Sequence, residues 1–200
     1  MLGKPYGLTL ATGLDALSHS IESIWNINAN PVSARHAVAA ASAILADLTN
    51  LLRDLDNLEL RNRIAEASLN AGLAFSNTKT AIAHNLSYPI TLGWGGQHVI
   101  ACSFILTTVL RSVVGVGGFH EAALKQTFGD DLDKGANDLT EFLASLGVGQ
   151  RFADHGIPDA YCNQIIDEAF AGERGNNFIS SKENFLKVAT QSGVLKLSPK

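Results

Sequence analysis

Apolar residues recur at helical spacing along most of the sequence and divide it into amphipathic segments. The first segment carries apolar residues at steps of three and four, at Leu14, Leu17, Ile21 and Ile24. This spacing predicts a helix from an N-cap at Thr12 to Trp25, preceded by a lead-in over residues 1–11. Pro31 suits the first turn of a second helix, which we expect to continue through an alanine-rich middle to about Leu55.

Similar periodicity predicts helices further along, over residues 58–77, 80–88, 98–110, 119–127, 132–146, 158–171 and 182–192. Pro89 is expected to end the fourth helix, and residues 91–97, which contain three glycines, to form a loop. The best strand candidate, residues 113–116, is short, and neither a longer alternating pattern nor an internal repeat is present. The sequence therefore predicts one all-α domain, a helical bundle over residues 1–200.

The composition of the sequence indicates which kinds of binding partner and which cellular location are expected. Hydrophobic residues make up 46% of the 200 residues and the net charge is −4, which argues against disorder and against a nucleic-acid or anionic-membrane partner. The most apolar stretch, residues 99–110, is shorter than the roughly 20 residues needed to cross a bilayer. Cys102 and Cys162 form no C-x-x-C pair, and no signal peptide is evident. We expect a soluble, cytoplasmic protein.

A dinucleotide-binding fingerprint is missing from the sequence. The nearest approach to G-x-G-x-x-G begins at Gly115, but His120 occupies the third glycine position and no strand precedes it. We therefore expect no nucleotide-binding half within these 200 residues.

One carboxylate and three imidazoles form the most informative set of polar residues. Asp15 and His19 are four residues apart on one helix, so their side chains project from the same face. His84 lies in the short helix before Pro89, and His98 begins the apolar helix after the glycine-containing loop. Such a set suits a divalent transition metal and leaves a coordination position open for a substrate oxygen.

Structural roles explain the same residues equally simply. A D-x-x-x-H pair is common by chance, His84 can be a hydrogen-bonded core residue, and His98 can be a polar helix start. Glu22 shares the face of Asp15, where a salt bridge or solvent contact is its ordinary role. Tyr88, one turn after His84, is by default a core tyrosine and alternatively lines a substrate pocket. Taken alone, the spacing favours structural roles over metal binding.

Three motifs that occur in order along the chain shift the interpretation from structural roles to metal binding. Residues 13–22 (GLDALSHSIE) resemble the G-x-D-A-x-x-H-x-x-E signature of the iron-containing (group III) alcohol dehydrogenases. Residues 71–78 resemble the family's A-G-x-A-F-S-N segment, and His84 with His98 match its H-x13-H pattern. The resemblance is strong over residues 7–115. It implies the C-terminal, dehydroquinate synthase-like helical domain of that family, without the Rossmann-like half.

The resemblance also implies a ligand set and a reaction. The implied metal ligands are Asp15, His19, His84 and His98, with Fe2+ as the usual ion and Zn2+ as the alternative. NAD(P) would bind to a Rossmann-like domain absent from this chain, and a homodimer is one assembly that the resemblance allows. The implied reaction interconverts an alcohol and an aldehyde or ketone, with the substrate oxygen on the metal. We expect the 200 residues alone to be inactive.

Two positions depart from the family pattern. Tyr88 stands where many members have a second histidine, and Val99 stands where a glycine is common. A phenol cannot replace imidazole as a base near neutral pH, so we expect Tyr88 to line the substrate or nicotinamide pocket. Residues 84–89 are similar to the branch that reduces phosphonoacetaldehyde, which makes that aldehyde a candidate substrate.

Two other functions remain open at this point. One is a metal-stabilised helical domain without independent activity. The other is a metal-dependent hydrolase, against which the absence of an adjacent His-Asp pair argues.

Overall fold

A computed structural model describes residues 3–195, and the regular elements of that part of the chain are helices joined by turns and short loops. The α-helices are α1 Tyr6–Glu22, α2 Pro31–Arg53, α3 Leu58–Thr78, α4 Ile82–Trp94, α5 His98–Ser103, α6 Leu106–Ser112, α7 Gly118–Phe128, α8 Leu132–Ser145, α9 Asp159–Ala171 and α10 Lys182–Gln191. Two 3₁₀ turns cover Phe152–His155 and Gly175–Asn177. Within residues 3–195 the only β pairing is an isolated bridge between Asn26 and Phe178, so the prediction of an all-α bundle is confirmed.

The first helix begins earlier than predicted. α1 starts at Tyr6 directly after Pro5, whose extended backbone precedes the first turn. Thr12 is not an N-cap, because its hydroxyl donates to the carbonyl of Leu8 inside the helix, at 2.9 Å. Residues 6–11 therefore belong to the helix, and the predicted lead-in was wrong over that range. The apolar spacing that marked the helix continues poorly before Leu14, which hid its first two turns.

The second helix follows its capping residues. Asn30 accepts hydrogen bonds from the backbone of Val32 and Ser33, and Ser33 completes a capping box with Pro31 at the first helical position. The helix ends at Arg53, two residues before the predicted end.

Pro89 does not end α4, contrary to prediction. The helix runs through this proline to Trp94 and is ended by Gly95, which adopts a left-handed conformation with a φ of 67°. Proline's fixed φ is itself helical, and its cost is one lost backbone bond and a local clash. Residues 91–94, predicted as loop, are therefore helical.

The predicted helix over residues 98–110 is divided. Phe104 and Ile105 separate α5 from α6, so the buried segment is two short helices. Residues 113–116, the strand candidate, form no strand; the chain turns there, and Gly115 has a φ of 85°.

The core is centred on α1, which packs against α2 and α3 and also against α4 and α5. The alanines of α2 face inward, with Ala37, Ala40 and Ala41 all buried. α1 lies close to α2 at Gly13, where a Cβ atom would lie 2.5 Å from Cδ1 of Leu48. Asp15 and His19 follow Gly13 in the same helix, and both face His84 of α4. Among the described residues, none of the helices has the length and hydropathy to cross a membrane.

Candidate metal centre

Helices α1, α4 and α5 bring the four predicted ligands together. Asp15 Oδ2 lies 3.5 Å from His19 Nε2, and Asp15 Oδ1 lies 3.9 Å from His84 Nε2. Asp15, His19 and His84 each offer a donor atom, and these three atoms lie within 4.8 Å of one another. The D-x-x-x-H pair of α1 thus faces the histidine that α4 presents.

His98 joins this group through His84. The two imidazole rings meet edge to face, with centroids 5.6 Å apart. His98, His84 and Cys102 form a second set of donor atoms within 4.8 Å of one another. Sequence reasoning missed Cys102, although it lies one helical turn after His98 in α5. His84 is the member that both sets share.

Glu22 holds His84 in place. Its Oε2 accepts from Nδ1 of His84 at 2.5 Å, and its two oxygens also accept from the backbone N–H groups of Ala81, Ala83 and His84. Glu22 is fully buried, so the solvent contact considered from sequence is wrong and the salt bridge is confirmed. The positive end of α4 and the imidazole together compensate the buried carboxylate.

Ser87 plays a similar part for His98. Nδ1 of His98 lies 3.1 Å from the Ser87 hydroxyl, which itself donates to the carbonyl of His84. The Nδ1 atoms of both histidines are therefore engaged. Hydrogen bonding of one imidazole nitrogen fixes the tautomer in which the other, Nε2, is free to bind a metal.

The electrostatics of the centre favour a cation. Burial by itself lowers the pKa of His84, but the charge of Glu22, together with the nearby Asp15 and Cys102 side chains and the hydrogen bond to Glu22, raises it to about 12. Burial alone would raise the pKa values of Asp15 and Glu22; hydrogen bonds or charge interactions with the histidines hold both below their usual range. Asp15 and Glu22 thus place two negative charges beside the imidazoles. Without a metal, the compensating positive charge is that of the protonated His84 side chain.

At the centre, Nε2 of His84 and Nδ1 of His19 are buried and have no hydrogen-bond partner within residues 3–195. Buried polar atoms are almost always satisfied, so an unsatisfied nitrogen requires an explanation. A coordinated cation supplies one, and the oxygen and imidazole donors around these atoms are those that Fe2+ and Zn2+ accept. The residues present therefore fit the metal that the sequence resemblance implies.

Aromatic packing holds His19. Its ring is stacked between Phe75, at a centroid distance of 4.2 Å, and His84, at 4.3 Å. Phe75 belongs to the A-G-x-A-F-S-N segment of α3, so this segment contacts the site directly. An open cleft of about 500 Å³ borders Asp15, His19 and Phe75 and contains Lys4 and Arg61 on its walls.

Tyr88 lies at the edge of the centre and is 36% exposed, so the core role considered from sequence is wrong. Its ring centroid is 5.8 Å from that of His98, and the guanidinium carbon of Arg174 lies 4.9 Å from the Tyr88 ring. Sequence reasoning missed Arg174, which is 86 residues beyond Tyr88 and belongs to no local pattern.

The remaining histidines bond elsewhere. His36 pairs with Asn70, His120 with the carbonyl of Ile24 and His155 with the carbonyl of Gly149. This agrees with their lack of any ligand pattern in the sequence.

Comparison with known proteins identifies the domain. The profile of the Fe-containing alcohol dehydrogenase family, C-terminal, matches residues 9–192. The 1,3-propanediol dehydrogenase of Klebsiella pneumoniae is 29% identical over 192 residues, which cover 92% of this chain and 49% of that protein. The phosphonoacetaldehyde reductase of Streptomyces viridochromogenes is 34% identical over 103 residues, 51% of this chain and 26% of that protein.

Solved structures show the same fold. A 1,3-propanediol oxidoreductase superposes with a TM-score of 0.84 at 24% identity, over 96% of this chain and 53% of that one. The sulfoacetaldehyde reductase of Bifidobacterium kashiwanohense, solved with NAD+, gives a TM-score of 0.82 at 23% identity, over 98% of this chain and 52% of that one. The chain spans about half the length of the curated relatives that it matches. It belongs to the Fe-containing alcohol dehydrogenase family, as a C-terminal domain of that family.

Proposed function

We propose that this chain is the metal-bearing domain of an NAD(P)-dependent alcohol dehydrogenase that interconverts an alcohol and an aldehyde or ketone. The observation that carries the proposal is the convergence of Asp15, His19 and His84, with His98 alongside, around buried nitrogens that lack other partners. A dinucleotide-binding domain would supply the nicotinamide, as in the family.

Each residue of the centre has a separate task. Asp15, His19, His84 and His98 would hold the ion, with Asp15 reducing the net charge of the site. A divalent metal supplies Lewis-acid polarisation of the oxygen of an alcohol or carbonyl substrate. Glu22 and Ser87 orient His84 and His98 through their Nδ1 atoms, so the binding nitrogens are fixed before any ion arrives.

Tyr88 and Arg174 form the wall beside His98. A phenol hydroxyl hydrogen-bonds to substrate without serving as the near-neutral base that imidazole is, so Tyr88 binds and orients. The packing of Arg174 on the Tyr88 ring places a cation at this wall. A guanidinium suits a phosphonate or sulfonate, since it offers paired donors to such groups. We therefore propose a short aldehyde with an anionic acid group as substrate, in line with the similarity to a phosphonoacetaldehyde reductase.

Metal content tests the ligand assignment. The purified chain is loaded with Fe2+ or Zn2+ and dialysed, and the bound metal is then measured. The same measurement is made on His84→Ala, His98→Ala and the double variant. We expect about one ion per chain in the parent and a loss of most of it in the double variant. His36→Ala is the control, because His36 bonds to Asn70 away from the centre. Undiminished metal in the double variant would overturn the ligand assignment.

Turnover tests the reaction. The chain is fused behind the dinucleotide-binding half of a 1,3-propanediol dehydrogenase, and NAD(P)H oxidation is followed on adding an aldehyde. We expect turnover by the fusion and none by the 200 residues alone. A fusion that binds nucleotide and metal without turnover would favour the alternative of a metal-stabilised helical domain. Release of phosphate from a phosphate ester would favour the hydrolase.

A further inference from the structure

A thiol lies beside the predicted ligands. Cys102 follows His98 by one turn of α5 and is fully buried, with Sγ 3.7 Å from Nε2 of His98. Its sulfur, one nitrogen of His98 and one of His84 lie within 4.8 Å of one another.

We propose that Cys102 is itself a ligand of the metal, together with His84 and His98, and that its sulfur makes the centre prefer zinc to Fe2+. This inference rests on the proposed function and adds a donor to it. Neither the spacing of the sequence motifs nor the four ligands implied by the resemblance includes this residue.

The separation of the donor atoms suits coordination. Zinc binds imidazole nitrogen at about 2.0 Å and thiolate sulfur at about 2.3 Å, so tetrahedral ligands of these two types lie roughly 3.5 Å apart. The observed 3.7 Å between Sγ of Cys102 and Nε2 of His98 is close to that value. The two donor atoms are therefore already separated by about the distance that a shared ion requires.

The orientation of the imidazoles is an independent observation. His84 is 2% exposed and its Nε2 has no partner among the described residues, while its Nδ1 is occupied by Glu22. The Nδ1 of His98 is likewise occupied by Ser87, and the sulfur of Cys102 is the one partner of its Nε2 among the described residues. Each ring therefore has a nitrogen in the same small region as the thiol, and neither Nε2 has an oxygen or nitrogen hydrogen-bond partner among the described residues.

The chemistry of the donors sets the preference for the ion. Asp15, His19 and His84 alone offer an oxygen and two nitrogens, which Fe2+ accepts readily. A thiolate is a softer ligand and shifts a site towards zinc. Cys102 therefore distinguishes between the two ions that the sequence resemblance leaves open.

Cobalt substitution tests the proposal. A thiolate bound to Co2+ gives an intense near-ultraviolet charge-transfer absorption, which oxygen and imidazole ligands do not give. We expect this absorption in the parent chain and in Cys162→Ser, and its loss in Cys102→Ser. Cys162 is the matched control, because it is also buried but contacts the carbonyl of Pro158 in the region of α9.

Two further measurements make the outcome decisive. X-ray absorption at the zinc edge of Cys162→Ser, which retains Cys102 as its only cysteine, should show one sulfur at about 2.3 Å. This measurement holds even if Cys102→Ser fails to fold. In competition, Cys102→Ser should lose roughly tenfold or more of the parent's preference for zinc over Fe2+.

The failures of the two proposals differ. Bound cobalt with visible bands but no charge-transfer absorption, and zinc without a sulfur neighbour, would overturn the role of Cys102 and leave the four-ligand centre intact. A parent chain that binds neither cobalt nor zinc would overturn the proposed function and this inference together.

Discussion

Glu22 Oε2 lies 2.5 Å from Nδ1 of His84 and joins the end of α1 to the start of α4. The same carboxylate accepts the backbone N–H groups of Ala81 and Ala83, where α4 has no capping side chain of its own nearby. One residue thus caps a helix, balances a charge and orients a predicted metal ligand. The stability of the fold and the affinity for metal are therefore coupled through it.

Replacing Glu22 by glutamine should weaken both properties. The amide nitrogen would face N–H donors, and Nδ1 of His84 would lose its charged acceptor. We expect metal affinity to fall about 10–100-fold, as for other residues that orient metal-binding histidines. The free energy of unfolding should fall by about 1–3 kcal/mol, because buried donors lose their partners. Metal titration and urea unfolding measure the two effects.

Glu141→Gln is the control for this change, because Glu141 is exposed on α8 and makes no ion pair or side-chain hydrogen bond among the described residues. Equal metal affinity in Glu22→Gln and Glu141→Gln would show that Glu22 does not orient His84.

The metal-free protein should show an optimum of stability in mildly acidic solution. The pKa of Glu22 is lowered from its usual 4.5, so its contribution is present above that value and is lost as the pH falls. The pKa of His84 is raised from 6.5 to about 12, so its contribution is full below 6.5 and declines as the pH rises. Through this pair, stability should be highest between about pH 4.5 and 6.5.

Urea unfolding in the presence of a chelator, repeated across pH, measures this profile. Glu22→Gln should make stability depend less on pH on both sides of the optimum. The substitution removes the carboxyl group that titrates on the acidic side, and it removes most of what raises the pKa of His84 on the alkaline side. A parent profile that rises steadily from pH 5 to about 8 would contradict the pairing.

Metal binding should release a proton from His84. Near neutral pH the metal-free imidazole is protonated, because its pKa is about 12, and a metal can bind Nε2 only after that proton leaves. Zinc titration by calorimetry in buffers of different ionisation enthalpy should therefore give a binding enthalpy that becomes more negative as the ionisation enthalpy rises, because the buffer takes up the released proton. A heat independent of the buffer would show that His84 is neutral before the metal binds.

Gly13→Ala should destabilise the fold. The added methyl group would lie 2.5 Å from Cδ1 of Leu48, so α1 and α2 must separate or Leu48 must move. We expect a loss of about 1–3 kcal/mol in the free energy of unfolding. Gly72→Ala is the matched control in α3, where a Cβ meets nothing within 4 Å, and it should stabilise by up to about 1 kcal/mol. Equal effects of both substitutions would contradict the close approach of α1 and α2.

Arg174→Gln should alter substrate preference in the fusion enzyme. If Arg174 holds the anionic group, KM for phosphonoacetaldehyde should rise about 10-fold or more through the loss of charge-assisted hydrogen bonds, while KM for propanal stays unchanged. An equal change for both aldehydes would mean that Arg174 only supports Tyr88.

The fold was predicted correctly at helix ends that are set by capping residues close by in the sequence. Asn30 and Pro31 mark the start of α2 because their caps act within a few residues. The predicted helix end at Pro89 was wrong, because whether a helix continues past a proline depends on what packs beyond it. The break between α5 and α6 at Phe104 has no local signal either, because apolar residues continue across it.

The site was predictable only in part, because local spacing shows contacts within one helix and not contacts between helices. Asp15 and His19 share a helix face by spacing alone, but the approach of His84 and His98 was inferred only from the family motifs. Glu22 was visible in the first motif, yet its task depends on α4, some 60 residues away, and Arg174 has no local signal. The Cys102–His98 pair has the same four-residue spacing as Asp15 and His19, so the sequence does carry a signal for this contact.

The stacking of His19 between Phe75 and His84 bears on how quickly an ion enters or leaves. A ring held on both faces cannot rotate away by itself, so His19 keeps its position while an ion passes through the open cleft beside it. Exchange with free metal should then depend on the more exposed donor, Asp15, and not on reorientation of His19.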